Sequence, residues 1–92
     1  MWYYRDLENW INNGCDKDVA KQVITLDISC KKLENIPKEI SYLIQLQKLS
    51  CVQNEIREIP IEICYLTQLK GFYCSRNNIK EIPKEIKYLI RL

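Results

Sequence analysis

Residues 46–68, LQKLSCVQNEIREIPIEICYLTQ, and residues 69–91, LKGFYCSRNNIKEIPKEIKYLIR, are one pattern written twice. A shift of 23 residues lays Ile59-Pro60-Ile61-Glu62-Ile63 on Ile82-Pro83-Lys84-Glu85-Ile86, and the same shift backwards reaches Ile36-Pro37-Lys38-Glu39-Ile40. Tyr42-Leu43, Tyr65-Leu66 and Tyr88-Leu89 fall into line, as do Leu33, Ile56 and Ile79, and then Val23, Leu46, Leu69 and Leu92. Self-similarity at a fixed period of this length marks an array in which one structural unit stacks on the next. Three units follow, 23–45, 46–68 and 69–91, with Leu92 standing at the first place of a fourth.

Within one unit the apolar residues change period. From Leu46 to Gln53, Leu49 and Cys51 alternate with Lys48, Ser50 and Val52, the period of two that belongs to a strand with one buried face. Each unit therefore carries one short strand, and stacked units make the strands parallel. Ile56, Ile59, Ile63, Leu66 and Leu69 are then spaced by three and four, which suits 3₁₀ or loose helical turns returning over the same core. Pro37, Pro60 and Pro83 fit the start of those turns, where a missing backbone donor costs least. Asn54 and Asn77 stand at the bend after the strand, where a side-chain amide can satisfy peptide groups the turn leaves unpaired. Lys31 holds that place in the first unit and cannot accept a hydrogen bond, so the task there is expected to fall to water or to the N-terminal segment.

Written as Leu46-x-x-Leu49-x-Cys51-x-x-Asn54-x-Ile56 and Leu69-x-x-Phe72-x-Cys74-x-x-Asn77-x-Ile79, the pattern resembles the leucine-rich repeat family, with its signature L-x-x-L-x-L-x-x-N-x-L. The second half, I-P-x-x-I-x-x-L-x-x-L, is similar to the 23-residue variety of that family. The resemblance covers residues 23–92, with Ile often in place of Leu, Cys at a strand core position and Lys31 where the first Asn belongs. It implies an α/β leucine-rich-repeat solenoid: three parallel short strands on a concave side, 3₁₀ or helical turns on a convex side, and recognition of a protein partner through the concave face. The stretch Trp10-Ile11-Asn12-Asn13-Gly14-Cys15 before such repeats, in a chain rich in Ile, Lys, Asn and Tyr, is also similar to short repeat proteins of large DNA viruses. That likeness implies action in a host cytoplasm.

Residues 1–22 lack the repeat. Trp2, Tyr3, Leu7, Trp10 and Ile11 fall mostly at helical spacing, so Asp6 to Asn12 reads as part of an amphipathic helix ending near Asn13-Gly14. A second short turn begins at Asp16 and runs through Val19 and Ala20. A stacked array needs its first unit covered, and we read 1–22 as a helical N-terminal cap on what is one structural domain overall. No C-terminal cap is expected after the third unit. The last strand near 70–76 is expected to present free backbone groups beside an apolar row of Phe72, Cys74, Ile79, Ile82, Ile86, Leu89 and Leu92. An open edge next to apolar surface invites association, and with the first end blocked, two last units can meet about a two-fold axis. A tail-to-tail homodimer with antiparallel last strands is expected; a bare, fraying last unit is the plainer alternative.

At 92 residues the chain makes one domain with little room for a deep substrate cleft. A formal net charge of +2, from 14 basic and 12 acidic residues, is too weak a field to capture nucleic acid or an anionic membrane, so neither is expected as a partner. No apolar run is long enough to span a bilayer and the N-terminus lacks a signal core, which points to an intracellular, cytoplasmic chain. Five cysteines, at 15, 30, 51, 64 and 74, are odd in number and show no C-x-x-C spacing; reduced thiols are expected rather than a disulfide frame or a zinc site. With no His, neither a Ser-His nor a Cys-His pair can be built. Glu39, Glu62 and Glu85 recur at one equivalent place, which reads as a repeated solvated face rather than acid/base machinery. No glycine-rich phosphate loop occurs. We therefore expect no catalytic residue, no metal and no cofactor.

The candidate site is the outward face of the strands: Thr25, Asp27, Ser29 and Cys30, then Lys48, Ser50, Val52 and Gln53, then Gly71, Tyr73, Ser75 and Arg76. Tyr73 and Arg76 are of the types enriched where partners bind most tightly. Cys51 and Cys74 read as small buried hydrophobes, whereas Cys30 and Cys64 fall on outward places. Tyr42, Tyr65 and Tyr88 are expected to stack as a ladder. The expected function is a non-catalytic protein–protein interaction module presenting this face as a homodimer. A self-assembling structural protein driven by the last unit is the alternative, and a merely solvated sheet face competes with both.

Overall fold

At Thr25, Lys48 and Gly71, 23 residues apart, the chain returns to the same sheet. The computed structural model describes residues 1–89, with side chains described as far as Ile86. Strand β1 (Trp2–Tyr3) leads into helix α1 (Tyr4–Asn12) and the single turn α2 (Lys17–Ala20); β2 (Thr25–Asp27), β3 (Lys48–Ser50) and β4 (Gly71–Tyr73) follow. Between them lie 3₁₀ turns at Lys38–Tyr42 and Ile61–Tyr65, and α3 (Lys84–Leu89) comes after β4. The four strands form one parallel sheet in the order β1-β2-β3-β4. Thr25, Lys48 and Gly71 stand in register, as do Leu26, Leu49 and Phe72, and Asp27, Ser50 and Tyr73. This is a small α/β protein with a four-stranded parallel sheet and short helices.

Alternation along each strand sets the two faces. Leu26, Leu49 and Phe72 point inward with Ile28 and Cys51 and are buried against Ile40, Leu43, Ile63, Leu66 and Ile86 from the turns and α3. Each such Leu or Ile contributes about 1.5–3 kcal/mol by leaving water. The turns are 3₁₀ because their bonds close at three residues: Ile40 N–H donates to Pro37 O, Leu43 to Ile40 and Leu46 to Leu43, and the next unit repeats this from Pro60. Pro37 and Pro60 cap these turns at φ −58° and −65°, which the pyrrolidine ring enforces. Apolar residues three apart then eclipse on the core side of a 3₁₀ turn, which is how Ile40 and Leu43 come to be buried together.

Two expectations are corrected here. The sheet has four strands, not three, because Trp2–Tyr3 pairs in parallel with Leu26–Asp27. Both residues are aromatic and favour extended backbone. Trp2 turns inward to meet Trp10 edge-on at 6.1 Å, leaving Tyr3 outward, and the Asp6 carboxylate accepts the Tyr3 N–H at 2.9 Å as the helix begins. The two helices agree with the sequence: α1 ends at Asn12, Gly14 adopts φ +95°, and Asp16 Oδ1 accepts from Asp18 N and Val19 N at the start of α2. The second correction concerns Lys31. Asn54 serves the bend before its own: its Oδ1 accepts from Lys31 N and Leu33 N, and its Nδ2 donates to Ile28 O as well as to Cys51 O. Asn77 repeats this on Ile56 N and Cys51 O. Each asparagine thus staples the preceding unit. The repeat begins at residue 23, so no earlier bend of the repeat pattern stands before Lys31 for it to serve.

Candidate functional site: the outer face of the sheet

Because side chains alternate across a strand, the outward column reads Tyr3, Asp27, Ser50, Tyr73 in register from one edge of the sheet to the other. At about 4.8 Å per strand, Tyr3 and Tyr73 stand about 14 Å apart. A shorter column of Thr25, Lys48 and Gly71 lies beside it. Beyond the strand ends, Ser29, Val52 and Ser75 continue the surface.

The floor between the tyrosines is small, polar and held in place. Asp27 Oδ1 accepts from Ser29 N at 3.0 Å, the Ser29 and Ser50 hydroxyls meet at 2.9 Å, and Val52 N–H donates to Ser29 Oγ at 3.0 Å. These bonds join β2 to β3 through side chains where the ladder ends. Tyr73 is fixed differently. Its ring lies back over Gly71: a Cβ at Gly71 would stand 2.9 Å from the Tyr73 hydroxyl oxygen and 3.2 Å from Cε2 and Cζ. Gly71 is needed for room rather than for an unusual φ, and it is buried beneath the ring. One face of Tyr73 packs on the sheet while the residue stays 53% exposed, and Tyr3 is 54% exposed at the other edge.

Of the residues expected to line this face, Thr25, Asp27, Ser29, Lys48, Ser50, Val52, Tyr73 and Ser75 lie on it. Gln53 and Arg76 do not stand on strands. With Cys30 they occupy the equivalent place in each unit, just past the strand, at φ 59°, 56° and 59° respectively, and all three are exposed on a rim. The left-handed conformation there ends the strand, which period-two alternation does not reveal. Tyr3 was absent from the expected set because residues 1–22 read as purely helical. Its signal is the aromatic pair Trp2-Tyr3 ahead of a helix start.

The row expected to lie open after the last strand is also corrected. Phe72 and Ile86 are buried within the chain itself, at 3% and 0% exposure, because the turn leading into α3 folds over the end of the core. Cys74, Ile79 and Ile82 are half-buried against that core. The Leu89 side chain and Leu92 lie outside the described residues. The tyrosine ladder is not formed between its first two members: Tyr42 meets Trp10 edge-on at 6.5 Å, and among the described residues no ring pair joins it to Tyr65.

The thiols differ by depth. Burial pushes the Cys51 thiol up to about 12, with Cys74 nearby adding to the rise. Burial alone raises Cys74, while Cys15 is raised first by burial and then by the Glu39 carboxylate. A raised thiol pKa favours the neutral, poorly nucleophilic form. Cys30 is exposed and Cys64 half-buried. Glu39, Glu62 and Glu85 sit one to a turn, on the two 3₁₀ turns and α3. Among the described residues no three of His, Cys, Asp and Glu are grouped to hold a metal ion, and no helix is long and apolar enough to cross a membrane. The chain matches no known family model and no curated protein.

Proposed function

We propose that the chain is a leucine-rich-repeat module that binds a protein partner through the outer, concave face of its sheet. The observation that carries this reading is Tyr73, a large amphipathic ring laid over Gly71 and half exposed, with Ser50, whose hydroxyl meets that of Ser29, as its register neighbour. Such a ring offers contact area while losing little side-chain freedom on binding. The 23-residue register from Thr25 to Lys48 to Gly71 and the asparagine staples support the repeat assignment. In this reading β1 and α1 cap the array, catalysis is not its work, and it needs no cofactor. The action in a host cytoplasm implied by the likeness to viral repeat proteins belongs to the same proposal.

The test is a pull-down with three forms of the protein: wild type, Tyr73→Ala combined with Ser50→Arg on the sheet face, and Ile61→Ser combined with Tyr65→Ser on the opposite side. A protein retained by the first and third and lost by the second is expected. Loss from the third form alone contradicts the proposal.

Self-association is a second reading. Among the described residues β4 pairs on one side only, and Cys74, Ile79 and Ile82 lie half-buried beside it. Light scattering across a dilution series is expected to give a dimer that Ile79→Glu with Ile82→Glu dissociates. The buried Phe72 is no probe of this contact, since a charge there unfolds the core. A monomer at tens of micromolar sinks this reading and leaves the first intact.

A further inference from the structure

We propose that the Tyr3–Asp27 corner of the outer face takes the guanidinium of an arginine in the bound partner, an inference that rests on the protein-binding reading above. Asp27 is the one acidic residue in the sheet columns and it is half-buried in the floor. Its Oδ1 is held by Ser29 N–H at 3.0 Å, which fixes the carboxylate and leaves Oδ2 for a ligand. Tyr3 is its register neighbour, about one strand spacing away, with the ring exposed. Asp6, bonded to the Tyr3 N–H, brings a second carboxylate to the same edge.

A carboxylate beside an aromatic face is what a planar cation requires. A guanidinium can donate to Asp27 along its edge while its plane stacks on Tyr3. An ammonium satisfies the charge but not the stacking or the forked hydrogen bonding. The rest of the face sharpens the choice of corner. Within the sheet columns Asp27 is the one anion and Lys48 the one cation, while Arg76 stands on the rim past β4 and Lys31 and Lys32 stand past β2. The Asp27 carboxylate beside Tyr3 thus places the basic group of an extended segment at the β1–β2 side of the sheet, with Tyr73 left for an apolar contact at the other edge.

The measurement is an amide chemical-shift titration of the ¹⁵N-labelled full chain with acetyl-Ala-Arg-Ala-amide, and with the lysine and citrulline peptides as controls. The Arg peptide is expected to bind in the millimolar range and shift Tyr3, Asp27 and Ser29. The Lys peptide should bind about fivefold more weakly and the citrulline peptide not at all. Asp27→Asn keeps the acceptor for Ser29 N–H and is expected to weaken the Arg peptide about tenfold; Tyr3→Leu, which keeps an apolar strand residue, about threefold. Equal shifts with the Arg and Lys peptides, or shifts that survive Asp27→Asn, overturn the proposal. A protein partner lost with Tyr73→Ala yet held undiminished by Asp27→Asn also overturns it, while leaving the binding face itself standing.

Discussion

The two edges of the sheet are finished by different means. At β1 the chain departs from its period: two aromatic residues supply a strand, the helix that follows supplies Leu7 and Trp10 to the core, and Trp10 Nε1–H donates to Asp16 O at 2.9 Å. At β4 the chain keeps its period, and the turn leading into α3 packs on the core, burying Ile86 fully but Ile79 and Ile82 only by half. A repeat unit is built to be covered by its neighbour, and a segment of different sequence is suited to bury the outer side of a terminal one. The expected consequence is a sheet whose stability is graded from the first edge to the last.

Breaking the anchored edge should have the largest effect. Trp10→Ala removes the packing on Trp2 and Tyr42 together with the bond to Asp16, and should cost about 3–5 kcal/mol in urea unfolding followed by circular dichroism. Ile82→Ala at the other edge should cost about 1 kcal/mol, since the side chain is only half-buried there. Equal losses would mean the sheet has no gradient. The staples give the next contrast. Asn54→Ala strands the N–H groups of Lys31 and Leu33 and leaves Ile28 O without its amide donor, for a loss of about 3 kcal/mol. Asn77→Ala should cost about half as much, because Asn77 is half-buried and water can replace its amide at the edge.

Alkaline pH separates inside from edge again. The unfolded chain releases the Cys51 proton above the ordinary thiol value of 9.0, whereas the folded chain holds it to about 12. Over that window the native state carries the extra proton, so stability falls as pH rises, by about 1.4 kcal/mol per unit. Below pH 9 both states are protonated and the effect vanishes. Urea midpoints for wild type and Cys51→Ala between pH 8 and 11 should show the steeper fall in the wild type. The smallest effect concerns the left-handed rim. Gln53→Gly should raise stability by about 0.5 kcal/mol by relieving φ 59°, and Gln53→Val should lower it by about 1 kcal/mol. Opposite signs in the two thermal melts are the expected result.

The period, the inward positions and the polar outer face were legible because they rest on alternation and repetition: Leu26, Leu49 and Cys51 are buried where the pattern puts them. The asparagines were legible as bend residues, but their reach into the preceding unit was not, since it depends on how units stack. Strand ends at Asp27, Ser50 and Tyr73 were hidden because left-handed backbone at Cys30, Gln53 and Arg76 carries no glycine to announce it. Tyr3 was hidden by brevity, since a two-residue strand has no period to read and gains its meaning only from pairing with β2. Phe72 read as open because burial by a unit's own closing turn depends on how far the turn reaches, which residue spacing does not report.

The arginine corner and the full width of the outer face depend on Tyr3 joining Asp27, Ser50 and Tyr73 in one column. Interstrand nuclear Overhauser contacts in the ¹⁵N,¹³C-labelled chain test this most directly. The account predicts short main-chain proton contacts linking Trp2–Tyr3 to Leu26–Asp27, of the same kind as those linking Leu26 to Leu49 and Leu49 to Phe72. A spectrum in which α1 is helical and β2, β3 and β4 are connected, but residues 2 and 3 touch none of them, would contradict it and leave the face without its first tyrosine.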